Sequence, residues 1–475
     1  MNSKKSVLDY FYEICSVPHG SGNTGAVAEY CAGIAKEFGL WYRKDEFDNV
    51  VIKKEASADK KASEPVIIQG HLDMVCAKTE NSDFDFMKDS IKCITEGDFL
   101  RADCTTLGAD NGIAVAYALA LISDDTISHP PLEIILTSDE EIGMIGANKL
   151  DISDIESRRL INIDSEEEGV FTVSCAGGAR VNMTFKAHKA DVRGTKVRMT
   201  VSGLVGGHSG TEIHKGGKNA NKIMGEILSG VCQEYDINLV SVNGGDKDNA
   251  IAVNAESVFV VKDGEAQAVE RLASDMFEKI KSDSPADKDM RFTFDICTSF
   301  SGQAESCEFS KNISDALCNV INGVVAMDEN TEGLVKTSLN LGVVRTSDSG
   351  TEAVFAVRSN DNAELDRLVD DLSAFAQSCG AAFETGDRYP AWEYVRDSYL
   401  RDVMIDVYKD KYGKSPEVTA LHAGLECGVF AGKLGTLDAV SIGPEMYDVH
   451  TVRERVSISS VNRVWEFLKA VLAKL

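Results

Sequence analysis

The first third of the chain alternates helix-like and strand-like hydrophobic patterns. Apolar residues recur at helical spacing in VLDYFYEICSV, and GIAVAYALALI is apolar on nearly every face. Between and after these helices lie VIIQG, LEIILTS and RLINID, whose short apolar runs are typical of buried strands. Strands that alternate with helices predict βαβ units and a mostly parallel sheet covered on both faces.

From about Val181 the pattern changes. VNMTFKA and TKVRMTVSG alternate apolar and polar residues, as antiparallel strands with one buried face do. A strand–turn–strand–helix pattern then occurs twice, ending once in EAQAVERLASDMFEKI and once in AELDRLVDDLSAFAQSC. This weak internal repeat predicts an α+β domain of two similar lobes.

The α/β pattern returns after about Tyr389 and runs through the strand DAVSIG to an amphipathic closing helix. We therefore expect one α/β domain made of residues 1–180 and 389–475, interrupted by an inserted two-lobed α+β domain, residues 181–388. Such an insertion gives two chain crossings between the domains, which suits a hinge.

Composition narrows the class of protein and its partners. The chain has 475 residues, 43% hydrophobic and 26% charged, as soluble globular proteins of two or three domains do. Its 49 basic and 76 acidic side chains give a net charge of -27, which opposes binding to nucleic acid or an anionic membrane. The N-terminal residues lack the apolar core of a secretory signal, and the 12 cysteines form no CxxC motif. We expect a cytoplasmic protein with reduced thiols.

Imidazole and carboxylate groups follow the predicted strands of the α/β domain. For any single acidic turn, such as DEE after LEIIL, a solvated loop is the ordinary interpretation. Several strands end this way, however, and ligands in open α/β sheets bind beyond the carboxyl ends of the strands. Imidazole with carboxylate is the ligand set of a dinuclear zinc-type centre. The candidates are His71, Asp73, Asp110, Glu140, Glu141, Asp164 and His450.

Ordered motifs in the chain resemble a known family. They are QGHLDMV, LGADNG, TSDEEIGMIG, NIDSEEEG, GGHSG and DVHTVRE. In this order they resemble the M20 metallopeptidases, and most closely the aminoacyl-histidine dipeptidase branch. The resemblance implies a zinc-exopeptidase-like catalytic domain interrupted by a lid domain, and hydrolysis of unblocked dipeptides, including Xaa-His such as β-Ala-His. It also implies two divalent metal ions, with Zn²⁺ expected and Mn²⁺ or Co²⁺ as alternatives, and a homodimer formed through the lid.

The resemblance also assigns roles by position in the catalytic domain. The implied metal ligands are His71 and Asp164 on one ion, Glu141 and His450 on the other, and Asp110 bridging both. Asp73 would orient the His71 imidazole. Glu140 would be the general base that takes a proton from the attacking water. The Asp110–Asn111 peptide bond is expected to be cis.

Substrate-binding residues are implied by the same resemblance. His208 would donate to the oxyanion, in some family members from a partner subunit, and Arg358 would pair with the substrate carboxylate. The full implied set is His208, Asn249, Arg358, His422 and Gly424.

Two other functions stay open at this point. One is an amidohydrolase of the same fold that removes an acyl group from an amino acid; HAGLECG and the long insertion favour the dipeptidase instead. The other is a non-catalytic metal-binding relative, against which the presence of Glu140 and of all five ligand positions argues.

Overall fold

The computed structural model describes residues 5–329 and 333–475, which form two compact units. The first unit combines the chain up to Cys175 with Trp392–Ala420 and Leu425–Leu475, and the second combines Ala176–Ala391 with Leu421–Gly424. Residues 421–424 group with the second unit although they lie between two segments of the first. The chain therefore passes between the units four times and not twice.

The first segment of the first unit carries the alternating elements that its apolar pattern predicts. Helix α1 begins after Ser6, whose Oγ accepts the Asp9 N–H while the Asp9 carboxylate accepts the Ser6 N–H, which is a capping box. The helices are α1 (Val7–Cys15), α2 (Gly25–Glu37), α3 (Ala109–Ser123) and α4 (Ile145–Lys149). The strands are β1 (Trp41–Lys44), β2 (Val50–Lys54), β3 (Val66–His71), β4 (Cys93–Glu96), β5 (Phe99–Ala102), β6 (Leu132–Thr137), β7 (Arg159–Asn162) and β8 (Val170–Cys175).

The second unit contains the strand–strand–helix repeat. Its strands are β9 (Gly177–Lys186), β10 (Lys189–Ser202), β11 (Asn238–Gly244), β12 (Ala255–Val261), β13 (Arg291–Glu305), β14 (Gly323–Met327), β15 (Val335–Ser347), β16 (Gly350–Ser359) and β17 (Ala382–Tyr389). Its helices are α5 (Ala220–Glu234), α6 (Ala266–Ser282), α7 (Cys307–Asn319) and α8 (Asn362–Ser378).

The C-terminal part of the first unit returns to the α/β pattern. Its elements are α9 (Tyr399–Tyr412), β18 (Glu417–Leu421), α10 (Glu426–Leu434), β19 (Asp438–Ser441), β20 (Met446–Tyr447), β21 (Arg455–Ser457) and α11 (Ile458–Lys474). No helix in the described part of the chain has the length and apolar character needed to span a bilayer.

The main sheet of the first unit has the strand order β1-β2-β6-β3-β7-β19-β8-β18. Its centre, β6, β3, β7 and β19, is parallel, whereas β1 pairs antiparallel with β2, β2 with β6, and β8 with β19. His71 pairs with Thr137, and Gln69 pairs with Asn162, so the central strands end together at one edge. A smaller sheet has the order β20-β21-β5-β4.

The second unit is built on one antiparallel sheet, β13-β10-β12-β11-β15-β16-β9-β17, with β14 added beside β15. The two repeats, β11-β12-α6 and β15-β16-α8, lie side by side in this sheet and are joined where Gly244 pairs with Val344. Helices α5 to α8 and the sheet share one apolar core. The predicted fold class, an α/β domain interrupted by an α+β domain, is confirmed.

Candidate metal centre

Strand direction brings the candidate side chains of the first unit to one edge of the sheet. His71 is the last residue of β3, and Glu140 and Glu141 follow the end of β6. Asp164 comes two residues after β7. Because these strands are parallel, their carboxyl ends meet at the same edge.

One group of ligand atoms gathers around His71. Its Nε2 lies 3.3 Å from Asp110 Oδ1 and 3.5 Å from Asp164 Oδ1. Its Nδ1 points the other way and donates to the backbone carbonyl of Asp73 at 3.0 Å. In the neutral ring, which is the form that binds a metal ion, this hydrogen bond keeps the proton on Nδ1 and leaves the Nε2 lone pair for the ion.

A second group gathers around His450. Its Nε2 lies 3.0 Å from Asp110 Oδ2 and 2.9 Å from Glu141 Oε1. The two oxygens of Asp110 therefore face different imidazoles, which is the arrangement that a carboxylate needs to bridge two ions. His71 also forms a compact group with Glu140 and Glu141, in which the candidate ligand atoms lie within 4.8 Å of one another.

The electrostatics of these groups suit divalent cations. The carboxylates of Asp110 and Glu141, which accept from the His450 imidazole, raise the pKa of His450 to about 11. Burial raises the pKa of Glu140 well above its usual value and also raises the pKa of Asp164. Among the described residues, no Lys or Arg pairs with these carboxylates, and their donor set of oxygen and imidazole nitrogen fits zinc-type ions.

Asp73 connects the His71 strand to the acidic loop after β6. Its fully buried carboxylate accepts the N–H of Glu140 at 2.9 Å, the N–H of Glu141 at 3.3 Å and the hydroxyl of Ser21 at 2.8 Å. Burial opposes ionisation, but the contacts with His71 and the backbone donor hold the pKa of Asp73 below its usual value. Asp73 thus holds both the imidazole and the loop that carries the predicted base.

Asn111 is a supporting residue that sequence reasoning missed. Its Oδ1 accepts the His71 N–H at 3.1 Å, and its Nδ2 donates to Asp164 Oδ1 at 3.0 Å and to the Ile163 carbonyl at 2.6 Å. It therefore ties together β3 and the segment after β7. The Asp110–Asn111 peptide bond is cis, as the resemblance implies.

A buried carboxyl group, Glu426, was also missed. Thr137 Oγ1 donates to Glu426 Oε2 at 2.6 Å, and Gln69 Nε2 donates to the same oxygen at 2.5 Å. Burial raises the pKa of Glu426 to about 7, and Oε1 has no hydrogen-bond partner among the described residues. The available signal was Gln69, a polar residue inside the apolar strand VIIQG.

The five predicted substrate-binding residues all lie in the second unit. His208 Nδ1 accepts the N–H groups of Gly210 and Thr211, both at 3.2 Å. A nitrogen that accepts from two amides carries no proton, so the proton of neutral His208 lies on Nε2. Asn249 is exposed at the neighbouring turn, and its carbonyl accepts the Ser209 N–H at 2.8 Å.

Arg358 is a buried cation without a carboxylate partner in the described part of the chain. Its side chain lies on β16, and the residue is only 8% exposed. Nη1 donates to the Tyr389 hydroxyl at 2.9 Å, whereas no described residue provides an acceptor for the buried Nε. A buried guanidinium with unused donors is costly in free energy until an anion pairs with it.

His422 lies in the four-residue stretch Leu421–Gly424 that belongs to the second unit. Its Nε2 lies 2.8 Å from Ser338 Oγ, and its Nδ1 lies 2.9 Å from Asn360 Oδ1. Burial, and then the charge of Arg358, lower the pKa of His422 to about 3, so the ring is neutral at ordinary pH. Gly424 is the last residue of this stretch.

Comparison with known proteins shows the family. Residues 67–474 match the model of peptidase family M20/M25/M40. The chain belongs to this family. The family predicted from the ordered motifs is thereby confirmed, and with it the class of peptide-bond hydrolases.

Full-length relatives extend this result. The chain is 36% identical to the cytosol non-specific dipeptidase of Escherichia coli (strain K12), over all of this chain and 98% of the relative. The crystal structure of aminoacylhistidine dipeptidase from Vibrio alginolyticus is similar with a TM-score of 0.87 and 35% identity, covering 98% of this chain and 96% of the other. Aminopeptidase PepT from Bacillus cereus ATCC 10987 shares the fold, with a TM-score of 0.57 and 15% identity over 99% and 98% of the two chains.

Proposed function

We propose that this chain is a dinuclear metal dipeptidase that hydrolyses unblocked dipeptides, Xaa-His such as β-Ala-His among them. Two full-length relatives at 35% and 36% identity carry dipeptidase names. The observation that carries the proposal is the orientation of Asp110, whose two oxygens face two different groups of ligand atoms. The deacylase alternative is not favoured by these relatives, and the presence of Glu140 argues against a non-catalytic one.

The residues of the centre fit two divalent ions, for which we propose Zn²⁺, with Mn²⁺ or Co²⁺ as alternatives. His71, Asp164 and Asp110 would hold one ion, and Asp110, Glu141 and His450 the other. Such ions, when bound, polarise the peptide carbonyl and lower the pKa of bound water.

Glu140 is the proposed general base. Its carboxylate takes a proton from the attacking water as the new carbon–oxygen bond forms, and returns that proton to the leaving nitrogen as the carbon–nitrogen bond breaks. Burial keeps the pKa of Glu140 high, so its conjugate acid forms readily. Asp73 supports this step because its hydrogen bonds to the Glu140 and Glu141 N–H groups hold the loop in place.

Groups on the second unit are proposed to bind the rest of the substrate. His208 Nε2–H is a suitable donor to the oxyanion, with Asn249 in support. Arg358 is proposed to bind the C-terminal carboxylate, assisted by the backbone at Gly424 and by neutral His422. The support is the unused Nε donor of a buried guanidinium.

Location and assembly follow the same proposal. The name of the Escherichia coli relative supports a cytoplasmic protein. The excess negative charge argues against nucleic acid and membrane partners. We propose a homodimer formed through the second unit, whose 15-residue strand β13 is at the end of the sheet and pairs with β10 on one side. A long unpaired strand edge is available for pairing with another chain.

The test is a paired assay of Ala-His and its C-terminal amide with metal-loaded enzyme. A carboxylate clamp rejects the amide because the buried guanidinium is left unpaired, at a cost of roughly 1–3 kcal/mol or about 5- to 150-fold in kcat/KM. Arg358→Ala should remove most of this discrimination and lower kcat/KM for Ala-His.

A matched control is Arg401→Ala. Arg401 is also 8% exposed, but its guanidinium donates to the backbone carbonyls of Val395 and Arg396 within the first unit. This variant should lose stability and keep the discrimination. Equal rates on the two substrates with unmutated enzyme would overturn the clamp, and no hydrolysis of any dipeptide by metal-loaded enzyme would overturn the function.

A further inference from the structure

Glu454 is a buried carboxylate that links two distant parts of the first unit. It lies four residues after His450 and is only 2% exposed. Four consecutive backbone N–H groups, some 345 residues earlier in the chain, converge on its two oxygens. Oε2 accepts from Leu107 at 2.7 Å and Gly108 at 3.0 Å, and Oε1 accepts from Ala109 at 2.8 Å and Asp110 at 3.3 Å.

These donors belong to the turn that sets the direction of the Asp110 side chain. Gly108 has a left-handed φ of 74°, and Asp110 and Asn111 depart from helical backbone angles inside α3. The first N–H groups of a helix have no partner within it and need an acceptor. Here the acceptor is Glu454, so the backbone of Asp110 is held by a side chain rather than by the helix itself.

The other end of this link is the turn that carries His450. This turn connects β20 to β21. The His450 side chain is half exposed, and its backbone has a left-handed φ of 62°. The Glu454 N–H donates to the Thr451 carbonyl at 3.1 Å, which closes the turn. The exposed end of the turn thus carries the imidazole, and its buried end is anchored on the Asp110 backbone.

We propose that Glu454 is a positioning residue. It holds the backbone of Asp110 and the turn of His450 at a fixed separation, so that the group formed by Asp110, Glu141 and His450 can bind its metal ion. The inference rests on the proposed metal centre. A plain helix cap would stabilise the fold without any particular effect on the metal. Loss of a positioning residue should lower the metal affinity of one group of ligand atoms more than that of the other.

The structure indicates which group depends on Glu454. His71 and Asp164 have their own supports, because Asn111 bonds to both and Asp73 accepts from the His71 imidazole. Among the described residues, the His450 imidazole has no partner beyond the two carboxylates that share its group. Asp110 belongs to both groups, so loss of Glu454 should weaken both sites, but the site at His450 more than the site at His71.

The experiment is a two-site Zn²⁺ titration of metal-free enzyme with a competing chelator. Glu454→Gln keeps the shape, but its NH₂ group faces two N–H donors and cannot accept from them. One site should lose about 10- to 100-fold in affinity, the usual effect of removing an outer partner of a ligand, while the other changes much less. In the Co²⁺-substituted enzyme, the visible absorption bands of the ion at the His450 site should differ between Glu454→Gln and unmutated enzyme.

Glu133→Gln is the matched control. Glu133 is 4% exposed in the same unit, and its carboxylate accepts the N–H groups of Glu156 at 3.1 Å and Ser157 at 2.9 Å, away from the metal centre. Both variants should have a lower Tm, and only Glu454→Gln should lose metal affinity. Equal Zn²⁺ affinities in Glu454→Gln and unmutated enzyme would overturn the inference while leaving the proposed function intact. An unmutated chain that binds no divalent ion would overturn both.

A second measurement covers the case in which Glu454→Gln does not fold. Hydrogen exchange on the unmutated, metal-free chain should show protected amides from Leu107 to Asp110, because the carboxylate and not the metal holds them. Exchange of these amides at unprotected rates, with protection only after Zn²⁺ is added, would refute the positioning role.

Discussion

Replacement of Glu140 by Gln separates the proposed chemistry from metal binding. Glutamine keeps the volume and the backbone N–H that Asp73 accepts at 2.9 Å, so the loop should keep its place. It removes the proton acceptor. General acid–base catalysis contributes about 10²–10⁴ in rate, and burial raises the pKa of Glu140, which makes it a stronger proton acceptor than an exposed carboxylate. We expect kcat to fall about 10²- to 10⁴-fold, equivalent to about 2.7 to 5.4 kcal/mol in the barrier.

The assay is steady-state hydrolysis of Ala-His together with metal analysis of the same preparation. Glu140→Gln should keep metal content and KM close to those of unmutated enzyme, whereas Glu141→Ala should lose metal. Asp139→Asn is the control for removing a neighbouring charge. Asp139 Oδ1 accepts the Gly22 N–H at 2.7 Å, and Asn tolerates its left-handed φ of 52°, so activity should be retained. Full activity in Glu140→Gln, with its metal still bound, would refute the base assignment.

Two further predictions concern protons near the centre. In metal-free protein the carboxylates of Asp110 and Glu141 raise the pKa of His450 to about 11. Burial lowers the pKa of His71, but its contacts with Asp110, Asp164 and Asp73 outweigh burial and raise it, so the protonated form of both rings is favoured. Since a metal ion needs the neutral ring, binding should release protons, and apparent affinity should rise with pH by about tenfold per pH unit for each proton displaced. Calorimetry in buffers of different ionisation enthalpy measures this release, and its absence contradicts the assignment of both ligands. Glu426→Gln removes a carboxylate whose negative charge raises the pKa of Glu140. The acidic limb of the pH profile of kcat/KM should therefore move to lower pH. A limb that does not move would show that Glu426 carries no charge in the active enzyme.

The parallel centre of the first unit was predictable because its strands are short, apolar and followed by residues of one chemical kind. VIIQG, LEIIL and RLINI correspond to β3, β6 and β7, and His71, the acidic loop and Asp164 follow them. Strand β13 was not predicted. Its outer face is exposed along most of its length, and RFTFDICTSFSGQAE has no clear boundary of Gly or Pro.

The supporting residues of the centre could not be found from sequence in the same way. Glu454 and Asn111 act through backbone groups, and Glu426 acts through Gln69 and Thr137. Such contacts join positions tens to hundreds of residues apart and have no local pattern. Three candidate ligands, His71, Glu141 and Asp164, could be proposed from sequence because they lie at or just after the ends of parallel strands. Asp110, at the start of α3, and His450, in a turn, could be proposed only from the ordered motifs.

The stretch Leu421–Gly424 limits how the two units can be exchanged between relatives. A polypeptide of residues 176–391 would contain Ser338 and Asn360 but not His422, which hydrogen-bonds to both. The same strip of chain continues directly to Glu426, buried beneath the ends of β3 and β6. The insertion is therefore not a self-contained module, and a chimera that takes one unit from a relative must also take its version of residues 421–426. Because of these six residues, substitutions in the second unit and in the first are expected to be accepted together rather than independently.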